Sequence, residues 1–285
     1  MNTDTVRTIL AQALRSRVVG DDPSEAARNV WATPGPRWYA EDAVIRAVHQ
    51  DAAMFIGGIR ALLLQSLHPL AMAGVAGHSG YRGDPWGRLQ RTSAFIAMTT
   101  FGPEPLAEEL IAKVREIHRR VRGVSEDGRR YSANDPRLLM WIHLAEVDSF
   151  LTAYKKYGAG RITAAQCDEY VDEAALVAAK VGVIDPPRTY ADVRRGLDAY
   201  RPQLHATREA RDTARFLLID PPLPLAARPG YAMLATAAVT SLPYWARRHF
   251  WIPRIPVAEP LVGRVAGQVA TRAIRWAMSA PLPGQ

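Results

Sequence analysis

The stretch that decides the fold is residues 57–102, GGIRALLLQSLHPLAMAGVAGHSGYRGDPWGRLQRTSAFIAMTTFG. Its apolar run admits histidine, proline and repeated glycine, which makes it too polar for a lipid span and too apolar for a solvated face. It reads as buried helix lining something. Gly57 and Gly58 permit close approach of another backbone or a flat ligand, and Pro69, after His68, kinks or restarts the helix. The HSGYRGDPWG segment that follows is a loop, and a second helix runs from about Gly87 to Thr100. Arg88 and Thr92 lie four apart there, on one face, with Arg91 beside them.

Downstream, Phe101-Gly102-Pro103 closes that helix and Pro105 opens one over 106–122, with Leu106, Leu110, Val114, Ile117 and Val121 as its buried stripe. His118 sits next to Ile117, facing inward or at the margin, and Arg122 lies four residues on, which on a helix stacks a guanidinium over the imidazole. Residues 123–132 read as a polar loop, and Asn134-Asp135-Pro136 caps a helix to about Tyr157 that carries Trp141, His143, Glu146 and Asp148. Thr163 caps the next helix, which Asp185-Pro186-Pro187 ends. A charged, solvent-facing helix opens at Tyr190 and carries its alternating signs as far as Asp212. Beyond the prolines at 221, 222 and 224 come a short apolar helix over 229–242 and an amphipathic tail with Arg264, Arg272 and Arg275 on its polar side.

Upstream, residues 4–18 read as a peripheral helix. The expectation is all-α: an N-terminal helix and linker over 1–36, and one helical domain over 37–285 with about ten helices and a buried pocket. No alternating β-branched run and no Asn-Gly turn marks a strand.

Composition narrows the function. The 285 residues, 48% hydrophobic, can bury a large core. The net charge of +8 is almost all arginine, 32 against four lysines. These arginines read as intermixed with acids and match no nucleic-acid motif, so no nucleic-acid partner is expected. The single cysteine, Cys167, excludes an intramolecular disulfide and a thiolate cluster. With no secretory signal, it points to the cytoplasm. There is no GxSxG elbow and no phosphate-cradling loop.

In order along the chain stand LLQxxHP, the His78-Ser79 turn, DPxxRLxRT, Phe101-Gly102, IHRRVRG and YxAxDPxLLxWIH. This ordered set, over about residues 40–255, resembles the rubber-oxygenase (latex-clearing protein) and MpaB-type oxygenase family, all-helical proteins whose characterised members bind haem b. The resemblance implies an iron cofactor with His118 as its axial ligand and Arg122 as a functional neighbour. It also implies Arg88 and Thr92 beside the haem, holding a propionate, and a hydrophobic or aromatic substrate oxidised with dioxygen or a peroxide.

Two departures qualify this. Where rubber oxygenases carry a lysine able to coordinate iron from the open side, this chain has Arg91, which stays protonated and cannot be a ligand. Residues 61–83 contain no glutamate to serve as the family's base, and Met72 falls near its place. Oxidation of an apolar molecule other than rubber is therefore expected, with Arg91 and His78 as candidate catalytic side chains.

Blander readings stand beside each assignment. A lone histidine at a helix margin is commonly structural. Arg88 can pair with Asp84, and the Thr92 hydroxyl can bond its own helix. His78 caps a loop or lines a distal pocket, and His68 bonds carbonyls freed at the kink. His143 and Glu146 give only one reversed copy of the pair a di-iron bundle needs twice. Three functions follow: the haem oxygenase, a helical binding protein for a lipid-like molecule without haem, and a peripheral membrane protein using its arginines and C-terminal helix. Stable membrane insertion is not expected, and a homodimer is compatible with the chain.

Overall fold

The structure, a computed structural model, describes Arg7 and residues 28–78, 85–256 and 258–279. Apart from Arg7, the helix expected over 4–18 lies outside the described residues. Twelve α-helices are found among them: α1 Val44–His49, α2 Ala53–Ser66, α3 Pro69–His78, α4 Pro85–Phe101, α5 Glu104–Arg120, α6 Pro136–Tyr157, α7 Ala164–Val181, α8 Tyr190–Tyr200, α9 Arg208–Leu218, α10 Arg228–Ser241, α11 Tyr244–His249 and α12 Ala258–Met278. The only sheet among them pairs β1 Arg122–Val124 with β2 Arg130–Ser132. The chain is all-α and forms a single domain.

Helix α2 is hydrophobic nearly all round, and such a helix must be wrapped on every side. Its main partner is α6, the most extensive helix pair in the molecule. Ile56, Leu63 and Leu64 of α2 and Trp141, Leu144 and Leu151 of α6 are shut off from solvent. Each contributes about 1.5–3 kcal/mol through burial. The two glycines at the start of the decisive stretch have different duties. A Cβ on Gly57 would stand 2.9 Å from Phe150 Cδ1 and 3.2 Å from Phe150 Cα, whereas one on Gly58 would meet nothing within 4 Å. Gly57→Ala is therefore expected to cost about 1–3 kcal/mol, and Gly58→Ala to be neutral or to stabilise by up to about 1 kcal/mol. Thermal denaturation of the two variants checks this, and the reverse order would refute the close α2–α6 approach.

At His68-Pro69 the path turns through 106° from α2 into α3, and no single helix among the described residues is long and apolar enough to cross a membrane. Helix α3 lies against the hairpin, where Gly77, with Gly123 of β1, makes room for the Tyr131 hydroxyl. The polar loop expected over 123–132 is thus partly strand, in register Arg122↔Ser132, Gly123↔Tyr131 and Val124↔Arg130. Its turn holds Gly128 at φ +80°. Asp127-Gly128 is a hairpin signal as good as Asn-Gly, but strands this short leave no alternating pattern to accompany it.

Caps were legible. Asp135 accepts from Arg137 N at 2.9 Å with Pro136 in the first turn of α6, and Thr163 forms a capping box with Gln166 at the start of α7. Helix α7 stops at Gly182, φ +121°, before the prolines expected to end it. The charged helix expected from Tyr190 to Asp212 is two helices, because Pro202 falls in a 3-10 turn after Tyr200. In the C-terminal half, α10 packs between α2 and α12. Arg275, expected on the polar side of the tail, instead turns inward to Asp51 at 2.8 Å.

Candidate functional site

Helices α4 and α5 form a hairpin about Gly102-Pro103. Its hinge is packed: Thr99, Thr100, Phe101, Gly102, Pro103, Ala107 and Ile111 are buried. Away from the hinge the packing thins. No described side chain from Gly87 to Met98 is fully buried, and none from Ala112 to Arg120. Arg88 lies 13 residues before the end of α4 and His118 lies 14 after the start of α5, so each is about 20 Å from the hinge along its own helix.

The inward stripe of α5 is Ala107, Ile111, Val114 and His118, while Ile117 is 58% exposed. The stripe expected through Leu106, Leu110 and Ile117 is therefore rotated by one residue. That rotation turns His118 inward, at the half-buried end of a row that is fully buried only at Ala107 and Ile111. Its Nδ1 is buried without a hydrogen-bond partner. Burial also holds the imidazole below its ordinary pKa, so the ring is neutral at pH 7.

The other expected site residues divide. Arg88 is half-buried, and Arg91 and Thr92 are exposed on α4. Thr92 makes no intrahelical side-chain bond, unlike Thr99, which donates to Phe95 O at 2.8 Å. Arg122 does not stack over His118. Helix α5 ends at Arg120, Val121 is extended (φ −82°, ψ 97°), and Arg122 opens β1 on the exposed side. Pairing in the hairpin stops the helix before the guanidinium can complete the turn. His78 ends α3, and its side chain and Asp84 lie outside the described residues.

Two further imidazoles are buried with an unfilled nitrogen, His68 Nδ1 and His143 Nε2. His68, expected to bond carbonyls at the kink, instead leaves Nδ1 unpaired and packs its ring near Trp141 and Tyr200, with centroids at 6.3 and 6.1 Å. Burial first, then the charge of Arg129, lowers it to about 4, and burial lowers His143 to about 4. Among the described residues no group of three or more His, Cys, Asp or Glu converges as metal ligands. The di-iron arrangement therefore does not assemble around His143 and Glu146.

A polar network crosses the core beside them; Glu146 was visible as a member of it, whereas Gln65, His49, Thr100 and Tyr170 were not singled out in the sequence. Gln65 Nε2 donates to Glu146 Oε1 at 3.2 Å. His49 lies with Nδ1 2.8 Å from Thr100 Oγ1 and Nε2 3.1 Å from the Tyr170 hydroxyl. Burial, then the nearby Glu146 carboxylate, raises Tyr170 well above its usual value, and burial lowers His49 to about 3. Nothing around His49 in the sequence marks it, whereas Glu146 was visible with His143 and Asp148 as a polar insertion in an apolar helix.

Burial pushes the Glu146 carboxyl up to about 7. Its folded pKa lies above the unfolded value near 4.5, so the folded state holds the extra proton between the two. Stability from this group is complete below about 4.5 and lost as pH rises through 7. Glu146→Gln, which keeps the shape without the ionisation, is expected to gain up to about 3 kcal/mol at pH 8 and nothing at pH 4. Urea denaturation at both values checks it, and an equal effect at both would show that the carboxyl is not held neutral.

Three imidazoles, His68, His118 and His143, thus each keep one buried ring nitrogen without a hydrogen-bond partner inside an all-helical frame. The lone cysteine, Cys167, is buried, with its thiol pushed up by burial, so nucleophilic chemistry has no candidate there. Residues 45–276 match the family model "ER-bound oxygenase mpaB/B'/Rubber oxygenase, catalytic domain", and the chain belongs to that oxygenase family. The match extends past the residue 255 limit expected from the motifs and takes in most of α12. Searches of curated proteins and of solved structures gave no match.

Proposed function

We propose that this oxygenase domain holds haem b through His118 and oxidises a small hydrophobic or aromatic molecule. The observation that carries the reading is the inward, neutral His118 with a buried, unpartnered Nδ1, on a helix arm whose packing thins away from the hinge. A haem needs one protein nitrogen and an apolar slot, because the porphyrin supplies the remaining in-plane ligands. The donor set fits that need better than it fits a bare metal ion, for which no cluster converges among the described residues. When bound, the haem would supply the activation of dioxygen or a peroxide.

The chain's own residues do the rest. His118 would fix the group's position and orientation, Arg88 by its charge and Thr92 by its hydroxyl would hold a propionate, and exposed Arg122 would add positive potential. Arg91 would stay a permanent cation, able to offer hydrogen bonds without competing as a ligand. Half-buried apolar side chains of α4 and α5 would keep water from a bound apolar substrate.

Titrating haemin into purified protein tests the reading. An intense Soret band saturating at one equivalent is expected. Folded protein that leaves the spectrum that of free haemin would remove the haem and leave a helical binding domain for an apolar ligand.

A further inference from the structure

The charge is not spread as evenly as the sequence suggested. From Pro221 to Gln285 stand seven arginines against a single acid, Glu259, which gives +6 of the chain's formal +8. Glu259 is spent internally, paired with buried Arg247, and Arg275 is spent on Asp51. Arg248, Arg254, Arg264 and Arg272 are exposed, with no ion-pair partner among the described residues.

The same region exposes apolar surface in an ordered way. Helix α12 buries Gly263, Gly267, Ala270, Ile274 and Ala277 against the domain. Its opposite face carries Leu261, Val265 and Val269 at spacings of four, with Val262 and Trp276 beside them, all between 41% and 65% exposed. Arg264 and Arg272 run in the adjacent row of that face. The segment leading into the helix adds Ile255, 60% exposed, and Trp251, 77% exposed. Trp251 sits at φ +57°, a left-handed conformation that is costly for a bulky residue. The Arg211 guanidinium lies 4.9 Å from its ring centroid. A strained backbone that sets an indole into solvent marks a surface made to be covered.

We propose that this face docks on an anionic lipid bilayer, with α12 lying in the headgroup plane. The aliphatic row and the two tryptophans enter the boundary, and the four unpaired arginines face lipid phosphates. Interleaved apolar and cationic rows on one helix are what an interfacial helix requires. A nucleic acid would use the cations and leave the aliphatic row bare. A second copy of the chain would bring four like charges against four. Docking is peripheral, since no single described helix is long and apolar enough to span.

Flotation of the full chain with phosphatidylcholine vesicles, with and without phosphatidylglycerol, tests this at low and raised salt. Binding is expected only to the phosphatidylglycerol vesicles and should weaken with salt. Arg264→Gln with Arg272→Gln should reduce it about fivefold per arginine, the weight of roughly one basic residue near a charged surface. Val265→Glu with Val269→Glu should abolish it, while unchanged circular dichroism shows that the fold is kept. Equal binding to neutral vesicles, or none to either, overturns the proposal. Vesicle-free dimerisation that the valine variant abolishes gives the face to a second copy. Binding to duplex DNA in place of vesicles gives it to nucleic acid. Neither result depends on whether haem is bound.

Discussion

Asp148→Ala is expected to destabilise the domain by about 3–5 kcal/mol, the largest single effect on stability outside the apolar core. Asp148 and Arg60 are both sealed from solvent, with Arg60 Nη2 donating to Asp148 Oδ2 at 2.6 Å. Arg60 Nη1 also donates to Ser149 Oγ at 2.7 Å and Nε to Ser241 O at 3.2 Å, and the Tyr190 hydroxyl donates to Asp148 Oδ1 at 3.1 Å. One ion pair thus ties α2, α6, α8 and α10 together. Removing the carboxylate strands a guanidinium in the core, where isolated charge is costly. Asp148→Asn keeps the shape and some hydrogen bonding, and should cost less. Arg60→Met with Asp148→Leu removes both charges and should recover much of the loss, since a buried pair contributes little beyond an apolar replacement. Chemical denaturation of the three variants checks the order. If the single and double variants are equally unstable, the cost lies in lost packing and not in stranded charge.

This pair also shows how far the sequence could be read. Arg60 and Asp148 sit 88 positions apart. Asp148 was visible only as one of three polar residues in an apolar helix, where a core polar network was the ordinary reading and a single reversed His-x-x-Glu pair the one hint of a di-iron ligand. The helix caps at Asp135 and Thr163 were legible because capping is local chemistry over three residues. The apolar period of α5 was legible to within one residue, but that residue decides whether Ile117 or His118 faces inward. A one-position change turns a helix face by roughly 100°. The fate of Arg122 was not legible, because a helical continuation and a strand satisfy the same local propensities there. Pairing with Ser132 settles it. The C-terminal charge bias was present in the text of the sequence. It took shape as a surface only once Glu259 and Arg275 were seen to be consumed by internal pairs.

His118→Ala is expected to abolish the Soret band and weaken haem binding by more than about 100-fold, beyond the roughly 10–100-fold lost when only a supporting contact is removed. Loss of a band alone would not separate a ligand from a structural histidine, so controls are chosen by matching environment. His68 and His143 are likewise buried with one ring nitrogen unfilled, and His68→Ala and His143→Ala should keep the band. Stability should separate the three in the opposite sense. His143 and His68 are almost fully enclosed and their removal leaves cavities, while His118 is only half-buried and bonds to nothing through Nδ1. His118→Ala should therefore melt within a few degrees of the parent apo-protein. Added imidazole should enter the space left in His118→Ala and restore part of the band, a rescue that a merely structural role would not permit. If His143→Ala is the colourless variant, the ligand lies on α6 and the inward turn of α5 serves packing alone.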